Sequence, residues 1–241
     1  MEAQATEPAV AIASAQKVPW YLARVYWWAY VDRRAIYFFE RQWLVNLILW
    51  GNFGRLRDAA LAALAGSPGE RLGGRTLQVA CVYGNLTPAL LGCIATDSTL
   101  DVVDVLPQQL ENLHRKLPPE HGARLVHGDS TNLRYEAETF DRALIFFLLH
   151  EQPAAERRAT LAEALRVVRP GGRIVIVDYH RPHRFHPLYW PMKGILHSLE
   201  PFALDLWEND LETWLPRDRQ VTISRRTLFG GLYQLVTLTP H

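Results

Sequence analysis

Residues 76–87 read Thr76-Leu-Gln-Val-Ala-Cys-Val-Tyr-Gly-Asn-Leu-Thr87, an apolar run that passes through a short turn into a second apolar run. The first run has the length and apolar character of a buried strand, and the second begins a helical pattern over 87–94. A strand, a turn and a helix in this order form the first half of a βαβ unit. Because such sheets bind ligands beyond the carboxyl ends of their strands, the turn predicts a ligand site.

The same alternation of strands and helices continues through most of the chain. Further strand-like runs occur at 77–82, 100–105, 124–127, 141–147 and 173–177, and helical runs occur at 87–94, 107–116 and 154–168. Two more strand-like runs lie within 221–238, on either side of Gly230 and Gly231. The pattern predicts an α/β fold with a doubly wound, mainly parallel Rossmann sheet.

Five segments follow from these patterns. We expect a disordered tail at 1–16, aromatic helices at 17–65, a ligand-binding core at 70–178, a lid insertion at 179–215 and closing strands at 216–241. The first 15 residues lack the basic start of a signal peptide, and Cys81 and Cys93 both fall inside the core. A cytoplasmic location is therefore expected.

The overall charge argues against a nucleic-acid partner. The 241 residues include 26 basic and 25 acidic side chains, and neither sign forms a long run. Nucleic-acid affinity depends on an excess of positive charge that is absent here. Any contact with a membrane must then be mainly apolar.

The amino-terminal segment is unusually aromatic, with five of the eight tryptophans between residues 18 and 65. Apolar side chains recur there at helical spacing and predict one helix, which Asp32 would cap and Gly51 would end. These side chains are Ile36, Phe39, Trp43, Leu47 and Trp50. A membrane-spanning helix needs roughly 20 mainly apolar residues, and charges interrupt every such stretch, so the segment can lie on a bilayer but not cross it. The alternative is that these helices only pack on the domain.

The turn at 76–87 and three later elements resemble the motifs of class I S-adenosylmethionine-dependent methyltransferases. Leu100-Asp-Val-Val-Asp104 resembles their second strand, whose last acid binds the ribose hydroxyls, and His127-Gly-Asp-Ser130 resembles the element whose aspartate meets the adenine amine. The run from Ala164 to Arg173 is similar to the segment before their fifth strand. Each aspartate by itself is also what caps a helix or turn. The resemblance implies a cofactor site at Ala80, Val82, Tyr83, Gly84, Asp104, Val105, Asp129, Ser130 and Phe146.

The turn departs from that family pattern. Gln78 stands where the family has an acid, and the three loop glycines become Ala80, Val82 and Gly84. Glycine lets the backbone approach a ligand closely, which a side chain prevents. Val82 and Tyr83 are therefore predicted to displace or re-aim the methionine end of the cofactor.

A narrower resemblance combines this loop with the aromatic segment, in Tyr26-Trp-Trp-Ala-Tyr30, Phe39-Glu-Arg41 and Ile48-Leu-Trp-Gly-Asn52. Together they resemble the rhodoquinone biosynthesis enzymes, which convert ubiquinone to rhodoquinone. The resemblance implies that S-adenosylmethionine supplies its amino group, that manganese (Mn²⁺) is required, and that the enzyme associates peripherally with the inner membrane to reach ubiquinone.

Three residues are candidates for catalysis: Gln78, Tyr83 and His150. An amine attacks only when unprotonated, and a buried carboxylate beside it would favour the ammonium form, so Gln78 in place of an acid would favour attack. Tyr83 would either relay a proton or form a wall of the site.

Candidate metal ligands follow the fourth and fifth strands. His150, Asp178 and His180 form the predicted set, with Glu151, His183 and His186 nearby. Carboxylate and imidazole together suit manganese, although no spacing is diagnostic and each histidine has a structural alternative.

A lid for a hydrophobic substrate is expected at Pro182–Trp190, with an ordinary domain cap as its alternative. Two other functions stay open: a conventional methyltransferase acting on a quinone or another lipid-phase ring, and a non-catalytic binder of S-adenosylmethionine. Val82 and the absent acid argue against the first, whereas Asp104 and Asp129 argue against the second.

Overall fold

The computed structural model describes residues 18–31, 33–67 and 69–241, and these form a seven-stranded sheet with helices on both faces. The strands are β1 (Arg75–Val79), β2 (Thr99–Asp104), β3 (Arg124–His127), β4 (Phe140–Phe146), β5 (Val168–Tyr179), β6 (Val221–Leu228) and β7 (Tyr233–Pro240). Their order in the sheet is β3-β2-β1-β4-β5-β7-β6. Strands β1 to β5 are parallel, and β7 runs antiparallel to both of its neighbours. The predicted fold class is confirmed.

Two apolar layers cover the sheet. One is formed by α4 (Phe53–Ala65), α5 (Leu86–Cys93) and α6 (Pro107–Lys116), and the other by α7 (Ala154–Val167) with the 3₁₀ turn Leu211–Trp214. The central strands are buried on both faces, which explains why they read as continuous apolar runs. Alternation along β1 places Leu77 and Val79 in the second layer. Gln78, between them, points to the opposite face.

The predicted single amino-terminal helix is wrong. The chain forms α1 (Trp20–Arg24), a π-helical turn (Trp27–Val31), α2 (Arg33–Phe39) and α3 (Gln42–Ile48). The break falls at Glu40 and Arg41, where Arg41 is extended and the Glu40 carboxylate turns inward to hydrogen-bond Gly84 and Lys116. Trp43 and Leu47 are consequently exposed instead of sharing a buried face. The predicted cap, Asp32, lies outside the described residues.

The segment 179–215 contributes α8 (Tyr189–Leu199) and α9 (Ala203–Glu208), which pack on each other. Phe185 and Trp190 of the predicted lid are exposed to solvent, and the inward side chains of this segment are Met192 and Leu196 of α8. The lid at 182–190 stays a prediction. Within the described ranges, no helix is long and apolar enough to span a membrane.

Candidate cofactor and substrate site

A cavity of about 580 Å³ lies at the carboxyl edge of the sheet, where the loops after β1, β2, β4 and β5 meet helices α1, α3 and α8. This volume is in the usual range for small-molecule sites. Asp104, Asp129 and Ser130 lie at a polar region of the lining, whereas side chains from α3 and α8 make other walls apolar. Eight of the nine predicted cofactor residues line the cavity, and Gly84 does not.

Gln78 lies outside this cavity lining and is fully buried beneath the turn. Its Nε2 donates to the carbonyl of Ala80 (2.9 Å), and its Oε1 accepts from Thr87 Oγ1 (3.0 Å). These bonds tie β1 to α5 and hold Ala80 at φ 70°, a left-handed conformation that costs a non-glycine residue about 1–2 kcal/mol. The predicted direct action of Gln78 on a cofactor amine is therefore not supported by its position.

The altered loop is held by the amino-terminal segment. Glu40 Oε1 accepts from the N–H of Gly84 (3.0 Å) and from Lys116 Nζ (2.7 Å), and Lys116 Nζ also donates to the carbonyls of Val82 and Gly84. Gln42 Oε1 accepts from the N–H of Asn85 (3.0 Å). The two N–H groups just before α5, those of Gly84 and Asn85, are thus bonded to protein side chains.

Glu40, Gln42 and Lys116 were missed as site residues from the sequence. The signal that could have pointed to Glu40 is its isolation, because it is the one acid among the aromatic and basic residues at 33–51. The contacts of Glu40 and Gln42 with the loop need a residue without a side chain at position 84. Gly84 has φ +82°, and an added Cβ would lie 3.0 Å from Gln42 Oε1.

Tyr83 forms a wall between the loop and the amino-terminal segment. Its hydroxyl donates to the carbonyl of Ala29 (2.7 Å) and accepts from Gln109 Nε2 (2.8 Å), and its ring stacks on Phe39. Burial raises the pKa of the phenol well above its usual value, so the hydroxyl stays protonated. These partners favour the wall over the proton relay.

Asp104, at the end of β2, is held in a fixed orientation at the cavity. Its Oδ2 accepts from the N–H of Cys81 (2.7 Å) and its Oδ1 from the N–H of Leu106 (2.8 Å). Burial raises the pKa of the carboxyl to about 6, although both N–H groups act in the opposite direction. Since each carboxylate oxygen can accept more than one hydrogen bond, Asp104 can still accept from a ligand.

Asp129 and Ser130 follow β3 and are also engaged by protein groups. Asp129 Oδ1 accepts from the N–H and the hydroxyl of Thr131, both at 2.8 Å. Ser130 Oγ accepts from Gln152 Nε2 (3.1 Å) and hydrogen-bonds Thr160. The turn-capping role considered for Asp129 is therefore present, and the residue lines the cavity at the same time.

His150 and Asp178 form a buried ion pair beside the cavity. The His150 Nδ1 lies 2.9 Å from Asp178 Oδ1, and Asp178 Oδ2 accepts from the N–H of Leu149 (2.9 Å). Burial lowers the pKa of the imidazole, but the Asp178 carboxylate outweighs it and raises the pKa to about 9. The Tyr179 ring packs edge-on against the imidazole. A pKa of about 9 makes the imidazole mainly a cation at neutral pH, and His150 lines the cavity.

The predicted metal ligands are not brought together as a set. His150 uses Nδ1 for Asp178, whereas His180 Nδ1 is hydrogen-bonded to the carbonyl of Gly231 (2.8 Å) and does not line the cavity. His183 is exposed. In the part of the chain that the structure describes, no group of three or more His, Cys, Asp or Glu side chains is placed to hold a metal ion. The residues do not fit the predicted manganese site, and no step below is derived through one.

Two acids beside His150 add to the site. Glu151 and Glu200 both line the cavity, and Glu151 Oε1 lies 3.8 Å from His150 Nε2. Burial raises the pKa of Glu200, and the nearby His150 lowers it in part. Glu200 was missed from the sequence because it follows α8, in a segment whose packing no local pattern predicts.

Comparison with known proteins gives consistent matches. Residues 76–172 match a family model described as a methyltransferase domain. The chain is 29% identical over 210 residues to the demethylmenaquinone methyltransferase of Clavibacter sepedonicus, covering 79% of this chain and 81% of that one. It is 36% identical over 110 residues to the enzyme of the same name from Staphylococcus saprophyticus, covering 46% of each.

Among solved structures, the N-methyltransferase NodS from Bradyrhizobium japonicum superposes with a TM-score of 0.55 at 16% identity, over 78% of this chain and 96% of that chain. At this identity the likeness shows the fold alone, and that fold is the class I methyltransferase fold.

Proposed function

We propose that this chain, which carries a methyltransferase domain at residues 76–172, uses S-adenosylmethionine to modify the head group of a quinone. The observation that carries the proposal is one continuous cavity that joins Asp104 to His150 and to apolar side chains of α3 and α8. The relatives named as demethylmenaquinone methyltransferases support a quinone as the substrate class.

The cofactor would lie at the polar region. The Asp104 carboxylate would accept hydrogen bonds from the ribose hydroxyls, and Asp129 and Ser130 would lie near the adenine. These roles match the order of the motifs along the chain. The methionine end would then extend past Val82 and Tyr83 towards His150.

The quinone ring would lie against His150, with the apolar walls around its tail. A protonated imidazole can donate to a ring oxygen and stabilise negative charge that develops there. Asp178 makes this possible at neutral pH, because it keeps the imidazole protonated. This role of His150 serves either of the two reactions below.

Methyl transfer is the reaction that the relatives favour. The donated hydrogen bond would lower the pKa of a quinol hydroxyl and so favour the quinolate, whose ring carbon is nucleophilic. That carbon attacks the cofactor methyl, a carbon–carbon bond forms and the sulfur–methyl bond breaks. The ring proton then leaves to solvent, and S-adenosylhomocysteine remains.

Amino transfer is the second candidate, and the loop favours it. Ala80 and Val82 stand where the family pattern has glycines, and the N–H groups of Gly84 and Asn85 are already bonded to Glu40 and Gln42. The cofactor's amino-acid end is thereby kept from the start of α5 and directed elsewhere. The unprotonated amine would add to a methoxy-bearing quinone carbon, and methanol would leave with the amine proton. Loss of the Cα proton would then pass an electron pair into the quinone ring, giving an imine on the reduced ring. Water would hydrolyse this imine to the amino-substituted quinol and the α-keto acid of the cofactor.

One labelling experiment separates these reactions. The purified protein is incubated with cofactor labelled either in the amino nitrogen or in the methyl carbon, and with short-chain ubiquinone or a reduced demethylmenaquinone analogue, with and without manganese. Methyl label in the quinone product supports methyl transfer, and nitrogen label with methanol release supports amino transfer. Cofactor binding without turnover of any quinone would contradict the enzymatic proposal and indicate a binder.

Tyr83→Phe is expected to keep kcat within about threefold of the unmodified protein, because Tyr83 contributes a wall; loss of a proton-transfer group costs about 10²–10⁴-fold. The measurement is steady-state turnover of the quinone that the protein converts in the labelling experiment. A loss in the larger range would restore the relay role.

A further inference from the structure

The mouth of the cavity is framed by apolar side chains that also face solvent. Leu47, Ile48 and Trp50 at α3 and Ile195 and Leu199 on α8 line the cavity, and each is at least 40% exposed. Trp50 Nε1 donates to Met192 Sδ at 3.1 Å, so the turn after α3 contacts α8 beside this opening. The substrate cavity therefore opens between two apolar helix faces.

The exposed apolar surface continues outward from the mouth. Trp43 lies one helical turn before Leu47 and is 57% exposed, and Trp190 at the start of α8 is 71% exposed. Tyr37 and Phe38 extend it along α2. Contiguous exposed apolar surface of this kind marks a site of interaction with a protein or a membrane.

The charges around the mouth differ from those of the chain as a whole. Residues 181–200 contain three basic side chains, Arg181, Arg184 and Lys193, and one acid, Glu200, which lines the cavity. Over the full sequence, by contrast, basic and acidic residues are nearly equal in number. Residues 33–51 contain three arginines and one acid, Glu40, which is bonded to Lys116. The mouth therefore carries a local positive charge.

Three cations lie over exposed aromatic rings of this surface: Arg41 over Tyr37, Arg184 over Phe185 and Lys193 over Trp190. Aromatic rings favour the headgroup level of a bilayer, and lysine and arginine beside them interact with anionic lipid. The positive charge and the exposed rings beside it together favour an anionic bilayer as the occupant of this surface.

We propose that this surface, formed by α2, α3, residues 181–190 and α8, docks on an anionic lipid bilayer, and that the substrate enters the cavity directly from the bilayer through the mouth between α3 and α8. Docking stands independently of the reaction, whereas the entry route rests on the proposed quinone substrate. The isoprenoid tail would stay among lipid chains while the head group reaches His150.

The docking is tested by sedimentation of the full chain with vesicles of phosphatidylcholine, alone or mixed with phosphatidylglycerol. Binding is expected only to the mixed vesicles and is expected to weaken with salt. Arg184→Glu should weaken it about fivefold or more. The matched control is Arg219→Glu. Arg219 is exposed and precedes β6, at the end of the sheet away from the cavity, so this variant should bind the vesicles like the unmodified chain.

The double variant Trp43→Ala/Trp190→Ala tests the apolar contribution and the entry route. It should reduce vesicle binding and turnover of a long-chain quinone embedded in vesicles, while turnover of a soluble short-chain quinone stays unchanged.

Equal binding to both vesicle types, or unchanged binding of this variant, would overturn the docking. A dimer that these substitutions disrupt, with no vesicle binding, would instead assign the surface to a second copy of the chain. Vesicle binding without turnover of any quinone would leave docking intact and contradict the proposed function.

Discussion

His150→Ala is expected to lower kcat by about 10²–10³-fold, the loss typical of removing one donor that stabilises developing charge. The imidazole lies at the cavity wall, is oriented by Asp178, and is protonated at neutral pH because its pKa is raised to about 9. The measurement is turnover of the short-chain quinone under saturating cofactor. His180→Ala is the matched control, since that ring follows the neighbouring strand β5, lies outside the cavity lining and should leave kcat nearly unchanged.

The pH dependence distinguishes this role from a merely structural one. If the imidazolium is the donor, kcat stays level through neutral pH and falls as the pH rises through about 9. Asp178→Asn removes the negative charge and should move that fall to lower pH. An unchanged profile in Asp178→Asn, or a rate that rises through pH 9, would contradict the donor role.

The same pair affects stability with a definite sign. Because the pKa of His150 is raised in the folded protein, its contribution to the free energy of unfolding is fully present below its ordinary value of 6.5. That contribution is lost as the pH rises through about 9. Thermal unfolding across this range should show a steeper loss of stability in the unmodified chain than in His150→Ala.

Asp104→Ala is expected to weaken binding of S-adenosylhomocysteine by about 10–100-fold, the range for hydrogen bonds that involve a charged group. The carboxylate is held at the end of β2 by the N–H groups of Cys81 and Leu106 and lines the cavity. Isothermal titration calorimetry measures the loss. Asp97→Ala is the control, because Asp97 is exposed before the other end of β2 and should leave the affinity unchanged.

Protonation of Asp104 should have a related effect. Its pKa of about 6 lies above the ordinary value of 3.8, so cofactor affinity should fall as the pH falls through 6 and the carboxylate is lost. The sign for the ligand-free protein is opposite, because the raised pKa favours the protonated form, and stability declines as the pH rises through 6. An affinity that does not change across this range, while Asp104→Ala still binds tightly, would remove Asp104 from the cofactor site.

The parallel sheet and its ligand-bearing edge followed from local sequence. Apolar runs of strand length alternate with helical runs, and the carboxyl ends of parallel strands share one edge. The resemblance to methyltransferase motifs then implied that Asp104 and Asp129 lie together at that edge. The bounds of α6 and β3 match the predicted ones. Helical periodicity was less informative at 36–50, where the inward turn of Glu40 divides the predicted helix.

The position of Gln78 shows where local pattern is insufficient. Motif alignment identified the substitution correctly, but the hydrogen bonds to Ala80 and Thr87 place the side chain beneath the turn instead of in the cavity. Both partners are near in the sequence, but the left-handed backbone at Ala80 that brings them within reach of Gln78 is a property of the folded turn.

The sequence by itself determined the fold class, the order of the motifs and the altered residues of the nucleotide loop, because periodicity and turn chemistry act over a few neighbouring residues. Only the tertiary structure decided what surrounds that loop: the Glu40 and Lys116 contacts, the His150–Asp178 pair and the apolar mouth between α3 and α8. Each of these joins residues more than 25 positions apart. The loop contacts and the mouth depend on how helices outside the sheet pack on it, and the His150–Asp178 pair depends on the pairing of β4 with β5. Neither kind of packing has a local signature.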